Sequence, residues 1–466
     1  MSVMSANAFG SNPSHPDQRF WDCSIVGCSR SAAIDLGGCE RCSSHFCVRH
    51  VDSTLHPCSK DPLDDDEWSA GREDELRKLR QMIKVDQLVA VASAARGGME
   101  CSLKLDDTEQ VRMGGMHVHF PVHFIDGTVW LARVPRHTNF QSFSDQLTDE
   151  ILLSECATLK WLEGVKLPAP KLGGYGLKGD PGNKVGVAFM LIECLPCNPF
   201  DRASATEDQK RKVFSQLGDL LTTLSQHPFD RIGSLTIDGD GSLRLGTVIG
   251  DRTGTLSRLG PFKDAAQYYV AWAEEYLRLV ADGQLFGAFP VTAYLMFRYL
   301  RELGSQSLGP VETTQLDEGP FYLKHADDKG DHIMVDDEFN VTGVIDWSFA
   351  KAVPAYEAFG PSLVTADLGC LLDGKVGLNP DDLLLAELLE EKAHPYAHFA
   401  RYGDRVRRFL FGPGTGMSPT EEEAVVIFKG IVETCGEQIG SWDEWRHNHL
   451  VEWSGDATLR RLTDSK

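Results

Sequence analysis

Two aspartates flank a predicted β-hairpin late in the chain, and such a pair of carboxylates can perform phosphoryl-transfer chemistry. Asp327 precedes the apolar run 333–335, a polar loop follows at 336–340, and Asp346 ends the second apolar run, 341–345. Folding of the hairpin brings both acids to one end of its strands. One acid can then orient or deprotonate a hydroxyl while the other holds Mg²⁺ on phosphates. An acidic hairpin without a catalytic role is the alternative.

The residues of this segment match a known pattern. The sequence HADDKGDH at 325–332 and the sequence VIDW at 344–347 resemble the catalytic and metal loops of aminoglycoside phosphotransferases and choline-kinase-like enzymes, relatives of protein kinases. The resemblance implies that Asp327 is the base or hydroxyl-orienting group and that His325 supports the catalytic loop. It also implies that Asp346 is the main Mg²⁺ ligand.

His332 departs from that pattern, because the family has an Mg²⁺-binding Asn at this position. Mg²⁺ prefers hard oxygen ligands in octahedral geometry, and an imidazole is a poor substitute for an amide oxygen. The missing oxygen could come from Asp328 or Asp331, and the sequence leaves open which residue completes the metal site.

A glycine pair is the first candidate for binding phosphates. Gly114 and Gly115 precede an alternating apolar strand, 118–124, which the turn Asp126-Gly127 joins to a second strand. Paired glycines at a strand junction let backbone N–H groups approach phosphates closely. A plain bend explains the pair equally well.

Two charged residues follow. Arg133 lies in the second of these strands, and Glu155 lies in a predicted helix that contains ILLSECATLKWLEG. The resemblance implies that Arg133 contacts nucleotide phosphates and that Glu155 orients it; Arg would keep its charge and offer two donors. A strand-end Arg that faces water is the alternative.

The nearly all-apolar run 185–195 predicts a buried strand that ends at Glu193 and Leu195. By the resemblance, this is the hinge between two lobes, where backbone groups read the adenine edge.

Near the N-terminus, six cysteines and two of the neighbouring histidines form a spaced set of eight candidate metal ligands. Zn²⁺ takes four such ligands in a tetrahedron, so eight ligands indicate two ions. Their spacing resembles an AN1-type zinc finger, and the resemblance implies a cross-braced arrangement: Cys23, Cys28, Cys47 and His50 on one ion, and Cys39, Cys42, His56 and Cys58 on the other. A disulfide knot is the alternative, which the absence of a secretory signal disfavours.

The composition limits the compartment and the partners. The net charge is −22, which disfavours nucleic acid as a partner. We see neither a signal peptide nor an apolar run long enough to span a membrane. We therefore expect a cytoplasmic protein, with the nucleus as an alternative, that has no membrane partner.

Helical and strand patterns predict an α+β fold, and the resemblance implies that it is bilobal and protein-kinase-like, with a small β-rich lobe and a larger, mostly helical lobe. The expected organisation is a disordered segment at 1–20, the finger at 21–58, an acidic linker at 59–75, the small lobe at 76–195, the large lobe at 196–445 with its catalytic loop at 323–347, and a tail at 446–466.

Together these features predict a small-molecule kinase that uses ATP, Mg²⁺ and two structural Zn²⁺ ions and transfers the γ-phosphate to a hydroxyl of an unidentified acceptor. The finger is expected to bind a protein, and such fingers are sometimes associated with ubiquitin or proteasome pathways. The alternative is a catalytically impaired pseudokinase scaffold, supported by His332. A nucleic-acid-binding zinc protein ranks below both, because the finger lacks the spacing of groove-reading fingers.

Overall fold

The computed structural model describes residues 21–35, 38–39, 41–42, 44–51, 56, 58, 63–106, 111–136, 145–195, 198–250, 258–309, 316–327, 329–414 and 419–464. The segment predicted to be disordered, 1–20, and Asp328 lie outside the described residues. The fold is α+β, with a sheet-rich N-terminal region and a helical C-terminal region, so the predicted bilobal architecture is confirmed.

The small lobe contains an antiparallel six-stranded sheet and three helices. Its elements are α1 (Asp65–Met82), α2 (Val85–Ala95), β1 (Cys101–Leu103), β2 (Arg112–Met113), β3 (His117–Phe124), β4 (Val129–Pro135), α3 (Asp145–Gly164), β5 (Leu172–Gly176) and β6 (Phe189–Glu193). The strand order is β1-β3-β4-β6-β5, and β2 pairs with β3.

The predicted alternation in β3 has the expected result. Val118, Phe120 and Val122 are buried against Leu79 and Leu88 of α1 and α2. One face of β3 therefore forms the core of the lobe. The register pairs His119 of β3 with Arg133 of β4, which lie on the same face.

The large lobe is mostly helical, with short strands around the predicted hairpin. Its elements are β7 (Asn198–Pro199), α4 (Glu207–Ser225), β8 (Leu235–Ile237), β9 (Leu243–Leu245), α5 (Ala265–Ala281), α6 (Pro290–Gly304), β10 (Phe321–Lys324), β11 (Ile333–Val335), β12 (Val341–Val344), β13 (Lys351–Pro354), α7 (Ala355–Ala358), α8 (Leu368–Leu372), α9 (Pro380–Glu391), α10 (Ala397–Arg401), α11 (Arg405–Phe411), α12 (Glu421–Thr434), α13 (Trp442–Glu452) and α14 (Ala457–Asp464).

Two segments differ from the prediction. The linker expected at 59–75 is helical from Asp65, because Asp64 and Glu67 form a capping box that starts α1 early. The tail expected at 446–466 contains most of α13 and all of α14, and the side chains of Trp453 and Leu459 are buried in the large-lobe core. Apolar burial fixes this C-terminal segment.

The finger contacts both lobes. Ile34 N–H donates to Gln284 O (2.6 Å), and Phe286 N–H donates to Asp35 Oδ2 (2.7 Å) in the large lobe. Arg41 forms an ion pair with Glu67 of α1. The finger is thus docked across the two lobes. Among the described residues, no helix is both long and apolar enough to cross a bilayer.

Candidate active site

The predicted hairpin forms from β11 and β12, and the residues on either side of it converge. β10 leads into the loop that contains His325 and Asp327, and the chain turns sharply after β12 at Asp346, whose φ is 60°. A left-handed conformation is uncommon for a residue other than Gly and is typical of functional turns. This turn directs Asp346 into the cleft between the lobes.

His325 joins the two loops. Its Nδ1 accepts a hydrogen bond from Asp327 N–H (3.1 Å), so the ring proton is on Nε2, which donates to Ile345 O (2.8 Å). The ring lies edge-on to Trp347, with 4.8 Å between the centroids, and is only 8% exposed. His325 therefore fixes the backbone of both loops, as expected of a supporting residue.

His332 also lies between the two aspartates. Its Nδ1 is 2.7 Å from Asp327 O, and its Nε2 is 3.6 Å from Asp346 Oδ2 and 3.8 Å from Asp331 Oδ1. Asp331, one of the two residues proposed to complete the metal site, is thus near His332. The other, Asp328, lies outside the described residues.

Lys329 is a site residue that the sequence interpretation missed. Its Nζ is 3.1 Å from Asp327 Oδ2 and 3.5 Å from Asp331 Oδ2. A cation two positions after the catalytic candidate was visible in the sequence. Only the conformation of the loop, however, points its ammonium group back at that carboxylate.

Arg133 connects the lobes electrostatically. It contacts both Glu155 and Asp346, and Ser348 Oγ donates to Glu155 Oε2 (2.6 Å). Arg133 and Glu155 are buried. The alternative of a strand-end Arg that faces water is therefore wrong, and the structure brings together the three charged residues that the sequence singled out.

The charges in this cluster shift the pKa of Asp346. Burial opposes ionisation, but the positive charge of Arg133 holds the pKa of the carboxyl below its usual range. Asp346 is therefore an anion at neutral pH. An ionised carboxylate in such a cleft can bind a divalent cation.

Two histidines of β3, also missed by the sequence interpretation, lie near Arg133. Burial, reinforced by the charge of Arg133, lowers the pKa of His117 well below its usual value and that of His119 to about 4. Both rings are therefore neutral at physiological pH. Their spacing of two residues in the strand indicates that they lie on the same face of the sheet. That this face lies beside Arg133 depends on the pairing register of β3 and β4.

The glycine pair lies in the β2–β3 turn, but its hydrogen bonds differ from the expectation. Gly114 N–H donates to His117 O (2.8 Å), and Arg136 donates to the carbonyl oxygens of Gly114 (2.6 Å) and Gly115 (3.1 Å). Glu75 of α1 in turn accepts from Arg136 (2.7 Å). In this conformation the N–H of Gly114 is used within the turn, so it cannot also bind a phosphate.

The expected hinge follows β6. Glu193 N–H donates to Lys171 O (2.9 Å), and Cys194 N–H donates to Val129 O (3.2 Å), so both belong to the sheet. Leu195 follows directly and lies next to Gly343 of β12, where an added Cβ would be 2.6 Å from Leu195 Cδ1. This segment therefore contacts the β11–β12 hairpin. Adenine binding by Glu193 and Leu195 stays a prediction.

The finger residues form two clusters, and each contains one of the predicted ligand sets. The ligand atoms lie within 4.8 Å of one another in each set: Cys23, Cys28, Cys47 and His50 in the first, and Cys39, Cys42, His56 and Cys58 in the second. Ligands of one Zn²⁺ ion, with Zn–S bonds of about 2.3 Å, are roughly 3.8 Å apart. The described finger cysteines are free thiols, so both sets fit a tetrahedral metal.

A model of the phosphotransferase enzyme family (APH) matches residues 126–402, which is more than half of the chain and includes Arg133, Glu155 and the whole segment from His325 to Asp346. The chain belongs to this family. The match excludes Gly114, Gly115 and the finger. No curated protein matches the chain.

Several solved structures of phosphotransferases have a similar fold. A Ralstonia eutropha protein provisionally named an aminoglycoside phosphotransferase is 14% identical, with a TM-score of 0.43 over 75% of this chain and 99% of its own. Macrolide 2'-phosphotransferase MphH from Brachybacterium faecium is 15% identical, with a TM-score of 0.36 over 74% and 97%. The aminoglycoside phosphotransferase APH(2'')-IIa, in a complex with streptomycin and ATP, is 12% identical, with a TM-score of 0.38 over 81% and 98%. The family assignment rests on the family model alone.

Proposed function

We propose that this phosphotransferase-family protein is an ATP-dependent kinase that transfers the γ-phosphate to a hydroxyl of a small molecule. The main support is the convergence of Asp327 and Asp346 in one cleft, with the buried Arg133–Glu155 pair reaching Asp346 from the other lobe. Phosphoryl transfer depends chiefly on positioning and electrostatic stabilisation, and this cluster supplies both.

Each residue has a distinct role in this proposal. Asp327 accepts a hydrogen bond from the acceptor hydroxyl and takes its proton, while Lys329 holds the carboxylate in position from 3.1 Å away. Arg133 offers a permanent positive charge to the phosphate oxygens, with Glu155 fixing the direction of its guanidinium. His325 is a positioning residue, since it bonds to backbone atoms of both loops.

A divalent cation would add positive charge next to the phosphate oxygens. Asp346, ionised and at the edge of the cleft, would hold it. The second candidate ligand, His332, offers a nitrogen where Mg²⁺ prefers oxygen. The donor set therefore fits a divalent cation in general but is not the one expected for Mg²⁺.

We further propose that the finger holds two structural Zn²⁺ ions and binds a protein partner. The two tetrahedral ligand sets support the ions. The finger's own core is small, formed by Cys23, Phe46 and Cys47, so metal binding would supply most of its folding free energy. The completely exposed side chain of Val26 lies on the surface available to a partner.

A pseudokinase scaffold is the second candidate function. One observation favours it: Asp346 is paired with Arg133 and faces His332 rather than an amide oxygen. If this arrangement persisted in the presence of nucleotide, the metal site would not form, and the loss of charge stabilisation would cost orders of magnitude in rate.

The decisive experiment measures γ-phosphate transfer from labelled ATP to a panel of amino alcohols and polyols, and to water. Asp327→Asn should reduce transfer by about 100-fold or more, because general-base catalysis contributes 10²–10⁴-fold. Asp337→Asn, the same change at an exposed position of the β11–β12 loop, should leave the rate unchanged. Equal rates in the wild type and Asp327→Asn would contradict the assignment, and a wild type that binds nucleotide but transfers nothing would favour the scaffold.

A further inference from the structure

We propose that His332 is a metal ligand and that, together with Asp346, it makes the cleft selective for a first-row transition-metal cation such as Mn²⁺ over Mg²⁺. This inference rests on the proposed kinase function, because the cation would be bound together with a nucleotide. The inference concerns which cation is bound and what His332 does at the position where the family has Asn.

The hydrogen bonding of His332 fixes its tautomer. Nδ1 lies 2.7 Å from the backbone oxygen of Asp327, and a carbonyl oxygen can only accept, so the proton must be on Nδ1. In the neutral ring, Nε2 then has a free lone pair. Metal-binding histidines have this arrangement, with one ring N–H donated to a carbonyl or carboxylate and the other nitrogen directed at the ion.

The lone pair of Nε2 faces two carboxylates. It is 3.6 Å from Asp346 Oδ2 and 3.8 Å from Asp331 Oδ1. Two ligands of one ion, bound at about 2.1 Å each, lie roughly 3 to 4 Å apart. Each oxygen is at a separation from Nε2 that a cation can span, but His332 and the two carboxylates are not among the described clusters whose ligand atoms all lie within 4.8 Å of one another. The shared ion would therefore lie between Nε2 and Asp346 Oδ2, two acceptor atoms whose approach to 3.6 Å is unfavourable unless a cation lies between them.

A proton on Nε2 is the other cation that could satisfy this arrangement. His332 would then be an imidazolium paired with Asp346. Arg133 already gives Asp346 a cationic partner, so a second permanent positive charge is not needed there for charge balance. A metal, by contrast, would use the lone pairs of both His332 and Asp346.

The donor set determines the class of ion. Carboxylates and water suit Mg²⁺ and Mn²⁺, whereas imidazole suits transition metals and is a poor Mg²⁺ ligand. A mixed set of one nitrogen and one carboxylate oxygen therefore favours a transition metal that also accepts phosphate oxygens and water. Mn²⁺ meets both conditions and has unpaired electrons that report its binding directly.

The test is an electron paramagnetic resonance titration of the full-length, zinc-loaded protein with Mn²⁺ in the presence of a non-hydrolysable ATP analogue. Competition with Mg²⁺ gives the ratio of the two dissociation constants without any turnover. The ratio of the Mg²⁺ Kd to the Mn²⁺ Kd should be at least about tenfold larger in the wild type than in His332→Asn. The reason is that the amide oxygen of Asn restores a donor that Mg²⁺ accepts. His123→Asn, at an exposed histidine of β3, should keep the wild-type ratio.

An unchanged ratio in His332→Asn would overturn the proposal and assign His332 the imidazolium role. If His332→Asn does not fold, His332→Gln offers a similar amide oxygen, and the same comparison applies. Failure of the proposed kinase function would look different: a folded wild type would then bind no nucleotide with either cation.

Discussion

Arg133 contacts carboxylates from two different elements, and two histidines of β3, one buried and one half-buried, lie beside it. His119 is directly opposite Arg133 in the strand register, and His117 is two residues away. Neutral rings at these positions avoid repulsion with the guanidinium. The protonation state of β3 therefore affects the stability of the fold as well as the charge of the cleft.

This arrangement predicts a loss of stability in mild acid. The pKa of His119 is about 4 in the folded protein, mainly through burial, and about 6.5 when unfolded. Between these values the unfolded state binds a proton that the folded state does not, so the free energy of unfolding falls as the pH falls, by at most about 1.4 kcal/mol per pH unit for one group. His119→Gln should flatten this dependence.

Urea unfolding of the protein at pH 7, 6 and 5 measures the effect. His123→Gln, which changes an exposed histidine of the same strand, should keep the wild-type slope. If His119→Gln and the wild type lose stability equally with falling pH, protonation of His119 does not explain the acid sensitivity.

At the scale of single residues, the sequence predicted the site residues that belong to a family motif. It missed the site residues whose roles arise from three-dimensional contacts. His325, Asp327, Asp346, Arg133 and Glu155 were all chosen from motifs, and the structure brings them to one cleft. Lys329, His117, His119 and Arg136 were missed, because their roles depend on loop conformation and strand register. Neither of those can be read from residue types alone.

Helix α1 links the finger to the glycine turn. Glu67 in its first turn forms an ion pair with Arg41 of the finger, and Arg72 donates to Met113 O (3.1 Å). Further along the helix, Glu75 accepts from Arg136. Arg136 in turn donates to the carbonyl oxygens of Gly114 and Gly115. The sequence places the first part of this helix in the acidic linker expected at 59–75. Its start was hidden in an acidic run that resembled a linker, where Asp64 and Glu67 form the cap.

At the scale of elements, the finger should depend on its metal. Cys47→Ser removes a buried ligand of the first set and should lower the zinc content from about two ions to about one per chain, because tetrahedral sites need four donors. Hydrogen exchange should then accelerate at Cys23 to Val51 and at the contacts of Ile34 with the large lobe.

Elemental analysis together with hydrogen-exchange mass spectrometry provides both readouts. Cys101→Ser, at a half-buried cysteine of β1 outside both ligand sets, is the matched control and should retain two ions. Equal zinc content in the two variants, or none in the wild type, would show that the clusters do not bind zinc as proposed.

At the scale of the whole molecule, the cleft joins parts that belong to different cores. Arg133 lies in a strand of the small-lobe sheet, whereas α3, which supplies Glu155, packs Leu152, Leu159 and Leu162 into the large-lobe core. The ion pair between Arg133 and Asp346, the hydrogen bond from Ser348 to Glu155 and the docked finger all cross between the two lobes. The relative position of the lobes therefore determines whether the charged cluster forms.

The helices and strands could be predicted because they have clear apolar periodicity, as in β3 and α4, and the family resemblance implied their division into two lobes. The C-terminal helices could not, since α13 has no buried residue of its own and offers little periodic signal. The docking of the finger was also beyond the sequence, because it depends on backbone hydrogen bonds such as that from Ile34 to Gln284.

The most direct test of nucleotide binding between the lobes is thermal unfolding with ATP alone, divalent cation alone and both together. A ligand at 100 times its Kd adds about 2.7 kcal/mol to the free energy of unfolding, which raises the Tm by several degrees. We expect stabilisation that requires both ATP and the cation, that disappears in Asp346→Ala and that persists in Asp337→Ala. If the Tm of a well-folded wild type does not change when ATP is added together with Mg²⁺ or together with Mn²⁺, that result would contradict the kinase assignment and favour the scaffold.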